Sequence, residues 1–218
     1  MSLRLAVLAS GRGSNLQVIL DAITAGTLDA EVVGAWSDRG DAQALVRARD
    51  AGLPAYAIRP RDFTDRAAHD HALFGALDAA APDLIVCAGY MRLIGADVLA
   101  SRAGRMINIH PSLLPAFKGL HTHQRALDAG ATEHGASVHY VTAELDGGPV
   151  IAQARVPVLP GDDAAHLSAR VLTHEHPLLL ETLRWIAAGR VRLHEDGVHV
   201  DGRRADGPLQ LAATRRFA

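Results

Sequence analysis

Asn108 and His110 stand one residue apart in "INIHPSLLP", flanked by isoleucines and followed at once by Pro111. On a strand, alternate side chains share a face. The amide and the imidazole therefore point one way, and Ile107 and Ile109 the other. Pro111 cannot donate to a ladder, so the strand ends there. The pair thus falls at the carboxyl end of a strand, where open α/β sheets bind ligands. An amide donates without titrating, and an imidazole donates or carries protons near neutrality. Two converging donors suit an oxyanion that forms when a nucleophile attacks a carbonyl. The alternative is a polar edge histidine beside a loop-satisfying asparagine. Two polar groups on one face of an apolar strand favour chemistry.

A second group lies in "TAELDGGPVI", where Asp146 precedes Gly147, Gly148 and Pro149. A carboxylate near an imidazole favours its charged form and raises the histidine pKa. By spacing alone, an Asx-type turn explains Asp146 better. A third group is "SGRGSN". Gly11 and Gly13 permit a tight turn, and Ser14 or Asn15 is expected to cap the helix that follows. The free N–H groups and dipole at that helix start favour an anion such as a phosphate. A dinucleotide fingerprint competes, with Asp38 on a ribose, but its third glycine would fall at Leu16. A plain capped turn is the third reading, and the loop alone does not choose among them.

These groups need strands that end in loops and helices that follow. Short apolar runs do alternate with helix-like segments. Strands are expected at Leu3 to Ala9, Glu31 to Trp36, Pro54 to Ile58, Leu84 to Ala88, Arg105 to Ile109, Ala136 to Val141 and Val150 to Val158. Helices are expected at Leu16 to Ala25, Ala42 to Ala51, Asp65 to Ala80, Thr122 to Ala129 and Asp163 to Ala188, the last bending at Pro177. Val191 to Arg204 reads as a hairpin turning at "EDG", and the end, "ATRRFA", is expected to fray. The alternation predicts an α/β fold: a doubly wound, mainly parallel Rossmann-like sheet with some antiparallel strands towards the C-terminus.

The 218 residues suffice for one sizeable core, expected as a single domain over 1–218. Cys87 is the only cysteine, which excludes a disulfide fold and a thiolate cluster and suits a reducing cytoplasm. The opening residues enter a strand pattern directly, so no secretory leader is expected. No apolar run is long enough for a membrane span. With a formal net charge of −2, no broad basic field exists for nucleic acid. Lys118, the only lysine, precedes Gly119 and Leu120, so a P-loop is absent.

"NIHPSLLP", "HGASVHYVTAELDGGPVI" and "SGRGSN" together resemble the formyltetrahydrofolate-using formyltransferases. Within them, the Gly-Ser-Asn loop and the short chain are similar to the glycinamide ribonucleotide formyltransferase family. The likeness runs from the first strand to the long C-terminal helix. It implies the formyltransferase fold and transfer of a formyl group from 10-formyltetrahydrofolate, a co-substrate, to the amine of phosphoribosylglycinamide in purine biosynthesis. It implies a catalytic trio of Asn108, His110 and Asp146, and a substrate phosphate on the backbone of Gly13, Ser14 and Asn15. Glu175 would hold the ribose side of the substrate. The folate would lie at Arg66, Asn108 and along Met91, Arg92, Leu93 and Ile94, with the pterin also facing the Thr142 to Asp146 loop. The phosphate half would run to about residue 100, the folate and catalytic half over about 101–190, and a hairpin and tail over 191–218. Two positions depart from the pattern. Arg12 occupies a variable loop position, and Leu172 stands where a polar side chain helps hold the substrate.

The expected partners are small molecules, without nucleic acid, membrane or metal, in a monomer or homodimer. A formyltetrahydrofolate hydrolase would add an N-terminal regulatory domain, and a methionyl-tRNA formyltransferase a basic C-terminal one. A non-catalytic nucleotide-binding module would explain the glycine loop but not Asn108 with His110. His121 and His123 invite a metal reading, yet two residues apart on a helix they diverge by roughly 200°. His69, His71, His174 and His176 share that spacing and are expected to be solvated or structural.

Overall fold

The structure, a computed structural model, describes residues 2–217. Met1 and Ala218, the ends of the expected domain and of its tail, lie outside the described residues. The chain forms two compact units, one running to Asn108 and the other starting at Ile109.

The first unit contains β1 (Leu3–Leu8), α1 (Ser14–Thr24), β2 (Ala30–Ser37), α2 (Gln43–Asp50) and β3 (Ala55–Ala57). After a 3-10 turn at Pro60–Asp62 come α3 (Arg66–Ala79), β4 (Leu84–Cys87), α4 (Ala96–Ala100) and the start of β5 (Met106–His110). All pairs in the order β3-β2-β1-β4-β5 are parallel. The chain moves outward from β1 to β3, then returns to place β4 and β5 on the other side of β1. Right-handed crossovers then put helices on both faces, and the switch point lies between β1 and β4. The burial agrees: Leu5 to Leu8 and Leu84 to Cys87 are buried on every residue. Asp65 caps α3 by accepting the Ala68 N–H at 2.8 Å.

In the second unit, α5 (Thr122–Asp128) precedes β6 (Glu133–Tyr140) and β7 (Val150–Pro157), which pair antiparallel. Then comes α6 (Ala164–Ala187), capped by Asp163, which accepts the His166 N–H at 2.8 Å. It buries Leu167, Val171, Leu178, Leu179 and Leu183 and packs on β6 and β7. Pro177 lies inside this one helix. Beyond it are β8 (Val191–His194), β9 (Gly197–Val200), β10 (Arg203–Arg204) and β11 (Leu209–Gln210). The fold class is thus the predicted one, α/β with a mainly parallel sheet and antiparallel strands towards the C-terminus.

Three expectations change. The hairpin gains a third strand, β10, because Arg203 and Arg204 pair with Val200 and His199. The tail does not fray: β11 pairs with β7, and Leu211 bridges Phe217. Phe217 packs edge-on against Trp185 at 5.2 Å, and Arg216 donates to buried Glu181 at 2.8 Å. A run of small and charged residues hid one aromatic anchor. Neither Ser14 nor Asn15 caps α1; the cap residue is Gly13, and both are the first residues of the helix itself.

Candidate active site

The β1 loop is shaped by its backbone. Gly13 has φ 69°, and a Cβ there would lie 2.6 Å from the Ala44 Cα. Both facts require glycine. The Ala44 N–H donates to the Gly11 carbonyl at 3.0 Å, closing the turn against α2. With no side-chain cap, the first N–H groups of α1 are left for a ligand. Asn15 is buried, and its Oδ1 has no hydrogen-bond partner. Asp38, beyond β2, also holds a buried, unpartnered Oδ1.

The β4 loop lies beside the β1 loop in the same unit. Ser10 Oγ accepts the Met91 N–H at 3.0 Å, and the Ser10 N–H donates to the Gly89 carbonyl at 2.9 Å. Met91 is 68% exposed and Leu93 57%, and Arg92 is also exposed. Two large apolar side chains turned to solvent on one short loop mark a surface available to a ligand. The loop's far end is fixed by Asp70, wholly buried, whose Oδ2 accepts the Gly95 N–H at 2.9 Å. His69 is structural, with Nε2 2.9 Å from the Ile58 carbonyl. Arg66 opens α3 with its side chain exposed, hydrogen-bonded to none of Met91 to Ile94.

On β5, Asn108 pairs across from Cys87 and is part-exposed, and His110, two positions on, is buried. His110 Nε2 lies 3.0 Å from the Phe117 carbonyl, so that nitrogen carries hydrogen, and Nδ1 lies 3.4 Å from Asp146 Oδ2. Asp146 Oδ2 also accepts the Gly119 N–H at 2.8 Å. Its Oδ1 faces His139 Nε2 at 3.6 Å, and His139 Nδ1 lies 2.9 Å from the Tyr140 carbonyl. Asp146 is therefore no Asx turn: its carboxylate is spent on groups distant in sequence. The carboxylate is held by three groups and only 10% exposed. Burial pushes it up, but His139, the Gly119 N–H and His110 outweigh burial and hold it below the usual carboxylate range.

His110 departs from expectation. Asp146 and the Phe117 carbonyl do raise its pKa, but burial acts more strongly, and the ring sits below the ordinary imidazole value. Buried away from water, the ring takes its second proton less readily than a free imidazole, even with Asp146 beside it. Sequence reading weighed the charge and could not see the burial.

The loop that brings Phe117 and Gly119 to these groups is braced by buried polar side chains. Ser137 Oγ donates to the Ser112 carbonyl at 2.7 Å and accepts the Leu114 N–H at 3.0 Å. Gln153 Nε2 donates to the Leu114 carbonyl at 2.8 Å, next to the cis Leu114–Pro115 bond. The Asp146 loop is equally constrained. A Cβ on Gly148 would lie 1.9 Å from the Tyr140 carbonyl oxygen. Lys118 reaches Glu144 at 2.7 Å.

Sequence reading missed His139. Its signal was present, since His139 and Ser137 alternate on the strand that leads into the acidic loop. His121 is the left-handed cap of α5, and His123 turns to His134, with ring nitrogens 3.2 Å apart. Burial drives His134 to about 4. Among the described residues, no three His, Cys, Asp or Glu side chains gather as a metal would need. Glu175 lies on α6, where burial raises its carboxyl to about 7. It makes no hydrogen bond to His110 or Asp146, and Leu172 is half-buried one turn before it. Cys87 is buried, its thiol pushed up to about 12, an inert core residue. No helix of the described residues is long and apolar enough to cross a membrane.

The phosphoribosylglycinamide formyltransferase of Escherichia coli is 46% identical over 202 residues, 93% of this chain and 95% of that protein. The solved phosphoribosylglycinamide formyltransferase of Coxiella burnetii superposes with TM-score 0.90 at 47% identity, covering 93% of this chain and 95% of that one. A formyltetrahydrofolate deformylase from Pseudomonas putida superposes with TM-score 0.81 at 26% identity, covering 92% of this chain and 70% of that one. The profile of the formyl transferase family matches residues 3–183, a span holding both glycine loops, β5, the Asp146 loop and most of α6. With the buried histidine and carboxylate in contact at the end of β5, and with this match over most of its length, the chain belongs to the formyl transferase family.

Proposed function

We propose that the protein transfers the formyl group of 10-formyltetrahydrofolate to the amine of 5-phosphoribosylglycinamide. The observation that carries this reading is Asp146, ionised and held by Gly119, His110 and His139. The identity to the Escherichia coli protein, over nearly all of both chains, supports the choice of acceptor.

Gly13, Ser14 and Asn15 hold the phosphate on the uncapped N–H groups of α1. Glu175 takes the ribose hydroxyls. Met91, Leu93 and Ile94 flank the folate, and Arg66 and Arg92 meet its carboxylates. The amine attacks the formyl carbon, a C–N bond forms, and negative charge gathers on the formyl oxygen. Asn108 and His110 stabilise that oxygen. As charge builds, His110 takes a second proton from solvent against the effect of burial, Asp146 holds the imidazolium, and the proton returns to solvent as the intermediate collapses. The intermediate collapses as its bond to the folate N10 breaks. The proton lost by the attacking nitrogen reaches N10, relayed by water. The phosphate falls to the first half of the chain, to about residue 100, and the chemistry to about 101–190. The reading places the enzyme in the cytoplasm.

The test follows release of deformylated folate by absorbance, with and without phosphoribosylglycinamide. Turnover that requires the acceptor is expected. Equal turnover without it would identify a hydrolase, like the formyltetrahydrofolate deformylase of Pseudomonas putida, and no turnover with tight NAD binding would end the enzyme reading.

A further inference from the structure

Gln153 lines an open cavity of about 410 Å³ in the second unit, where the C-terminal strands meet the ends of two active-site loops. Leu114 and Pro115 come from the loop that carries the Phe117 carbonyl to His110, and Pro149 and Val150 follow the Asp146 loop. Val198 of β9 and Pro208, just before β11, add further apolar wall. None of Asn108, His110 and Asp146, and no residue assigned to phosphate or folate, lines it. A cavity of roughly 300–1,000 Å³ with apolar walls and a few fixed polar groups is the usual form of a small-molecule site.

Two polar groups on this cavity are unspent. Gln153 is only 3% exposed. Its Nε2 donates to the Leu114 carbonyl at 2.8 Å and to Ser137 Oγ at 3.0 Å. A carbonyl can only accept, and the one Ser137 hydroxyl proton goes to the Ser112 carbonyl at 2.7 Å. Both acceptors fix which end of the amide is nitrogen. The Gln153 Oε1 is then left without a hydrogen-bond partner among the described residues. Most buried acceptors are paired, so an unpaired one on a cavity wall is an invitation to a donor. The second group is Arg204, exposed and without a hydrogen bond or ion pair among the described residues. A Cβ on Gly197 would lie 3.7 Å from the Arg204 Nε, so the side chain lies over that lining residue. Asp196, the one acid on the cavity, is already engaged by His199 Nε2 at 2.8 Å.

These features specify a ligand. The proline and valine walls take a flat apolar body, Gln153 Oε1 takes an N–H, and Arg204 takes a negative group. We infer that this cavity binds a small heteroaromatic anion with a ring N–H, at a site separate from both substrates. The inference goes beyond the proposed reaction and does not depend on it.

Indole-3-acetate combines the three features, and titration calorimetry on the full chain measures its binding. A Kd on the order of 1 mM at low salt is expected for a ligand of this size. Benzothiophene-3-acetate keeps the shape and charge but has sulfur in place of the N–H, and should bind about five- to tenfold more weakly. R204A, at an exposed position outside the residues proposed for catalysis and substrate binding, should weaken indole-3-acetate about threefold. Added salt should weaken binding to the wild type in the same direction. A205W fills the cavity and should abolish binding, with its thermal melt by circular dichroism checking that it folds. If A205W does not fold, R204A and the sulfur analogue decide the matter alone. No binding to the wild type, equal affinity for the two ligands, or an affinity unchanged in R204A or in folded A205W overturns the assignment.

Discussion

The loop after β1 and the loop that carries Asp146 both contain two closely spaced glycines, and they are built on different physics. In the first, Gly13 itself adopts the left-handed backbone at φ 69° and packs against Ala44. From α2, Arg47 donates to the Arg12 carbonyl at 2.9 Å, so what ties the turn is backbone acceptors and close packing. In the second, the left-handed backbone falls on Asp146, at φ 46°, and Gly148 is needed because the Tyr140 carbonyl leaves no room for a Cβ. Asp146 keeps this costly conformation because its carboxylate is held by Gly119, His110 and His139. A phosphate carries its own charge and needs only a shaped set of N–H donors. A carboxylate that must face a histidine needs partners, so its loop is tied by side chains that titrate.

The widest test of that difference removes the polar side chains of the proposed catalytic trio. Asp146→Ala, His110→Ala and Asn108→Ala should each lower kcat about 100-fold or more, since one oxyanion-stabilising group is worth about 3–4 kcal/mol. Steady-state turnover at saturating substrates measures it, and a variant with near-normal kcat drops that residue from the trio.

Next come the glycines. Gly148→Ala drives a methyl into a backbone carbonyl that has little freedom to move, and should cost about 2–3 kcal/mol, or some 5–10 °C in Tm by calorimetry. Gly13→Ala should instead raise KM for the phosphorylated substrate about tenfold with little change in kcat, because the loop binds without reacting. A change confined to kcat would contradict a phosphate role for this loop.

A smaller effect separates two titrations. His134 has its pKa lowered from 6.5 to about 4 by burial, so the unfolded chain takes the proton first. Its contribution to stability is intact above pH 6.5 and lost as pH falls towards 4. Glu175 is raised from 4.5 to about 7, so its contribution is intact below pH 4.5 and lost as pH rises through 7. Urea denaturation from pH 4 to pH 8 should show His134→Gln flattening the acid limb and Glu175→Gln flattening the neutral one. Unchanged limbs would mean that neither group is desolvated as the fold implies.

The smallest effect belongs to Lys118→Ala. Its pair with Glu144 is exposed on the acid side, and the loss should be below about 1 kcal/mol in chemical denaturation. A larger loss would show that this pair helps to hold the Asp146 loop.

Much of this was legible in the sequence because it depends on short-range rules. The apolar run Leu84 to Cys87 needed only helices on both faces, and Asp65 and Asp163 announced helix starts. Tail docking was hidden, because one phenylalanine thirty-two residues beyond Trp185 gives no local pattern. His139 escaped for a related reason: a lone histidine on a strand is ordinary until the group it faces is known.

Chain order alone determined that Asn108 and His110 share a face, that Pro111 ends their strand, and that Gly13 must turn the first loop. These follow from alternation, a missing N–H and a missing Cβ, all properties of a few neighbouring residues. Only the tertiary structure decided that Asp146 meets His110, that His139 and the Gly119 N–H hold it, and that burial outweighs Asp146 in lowering the His110 pKa. Charge and desolvation act through space, so their balance is set by what packs around a group and not by what precedes it.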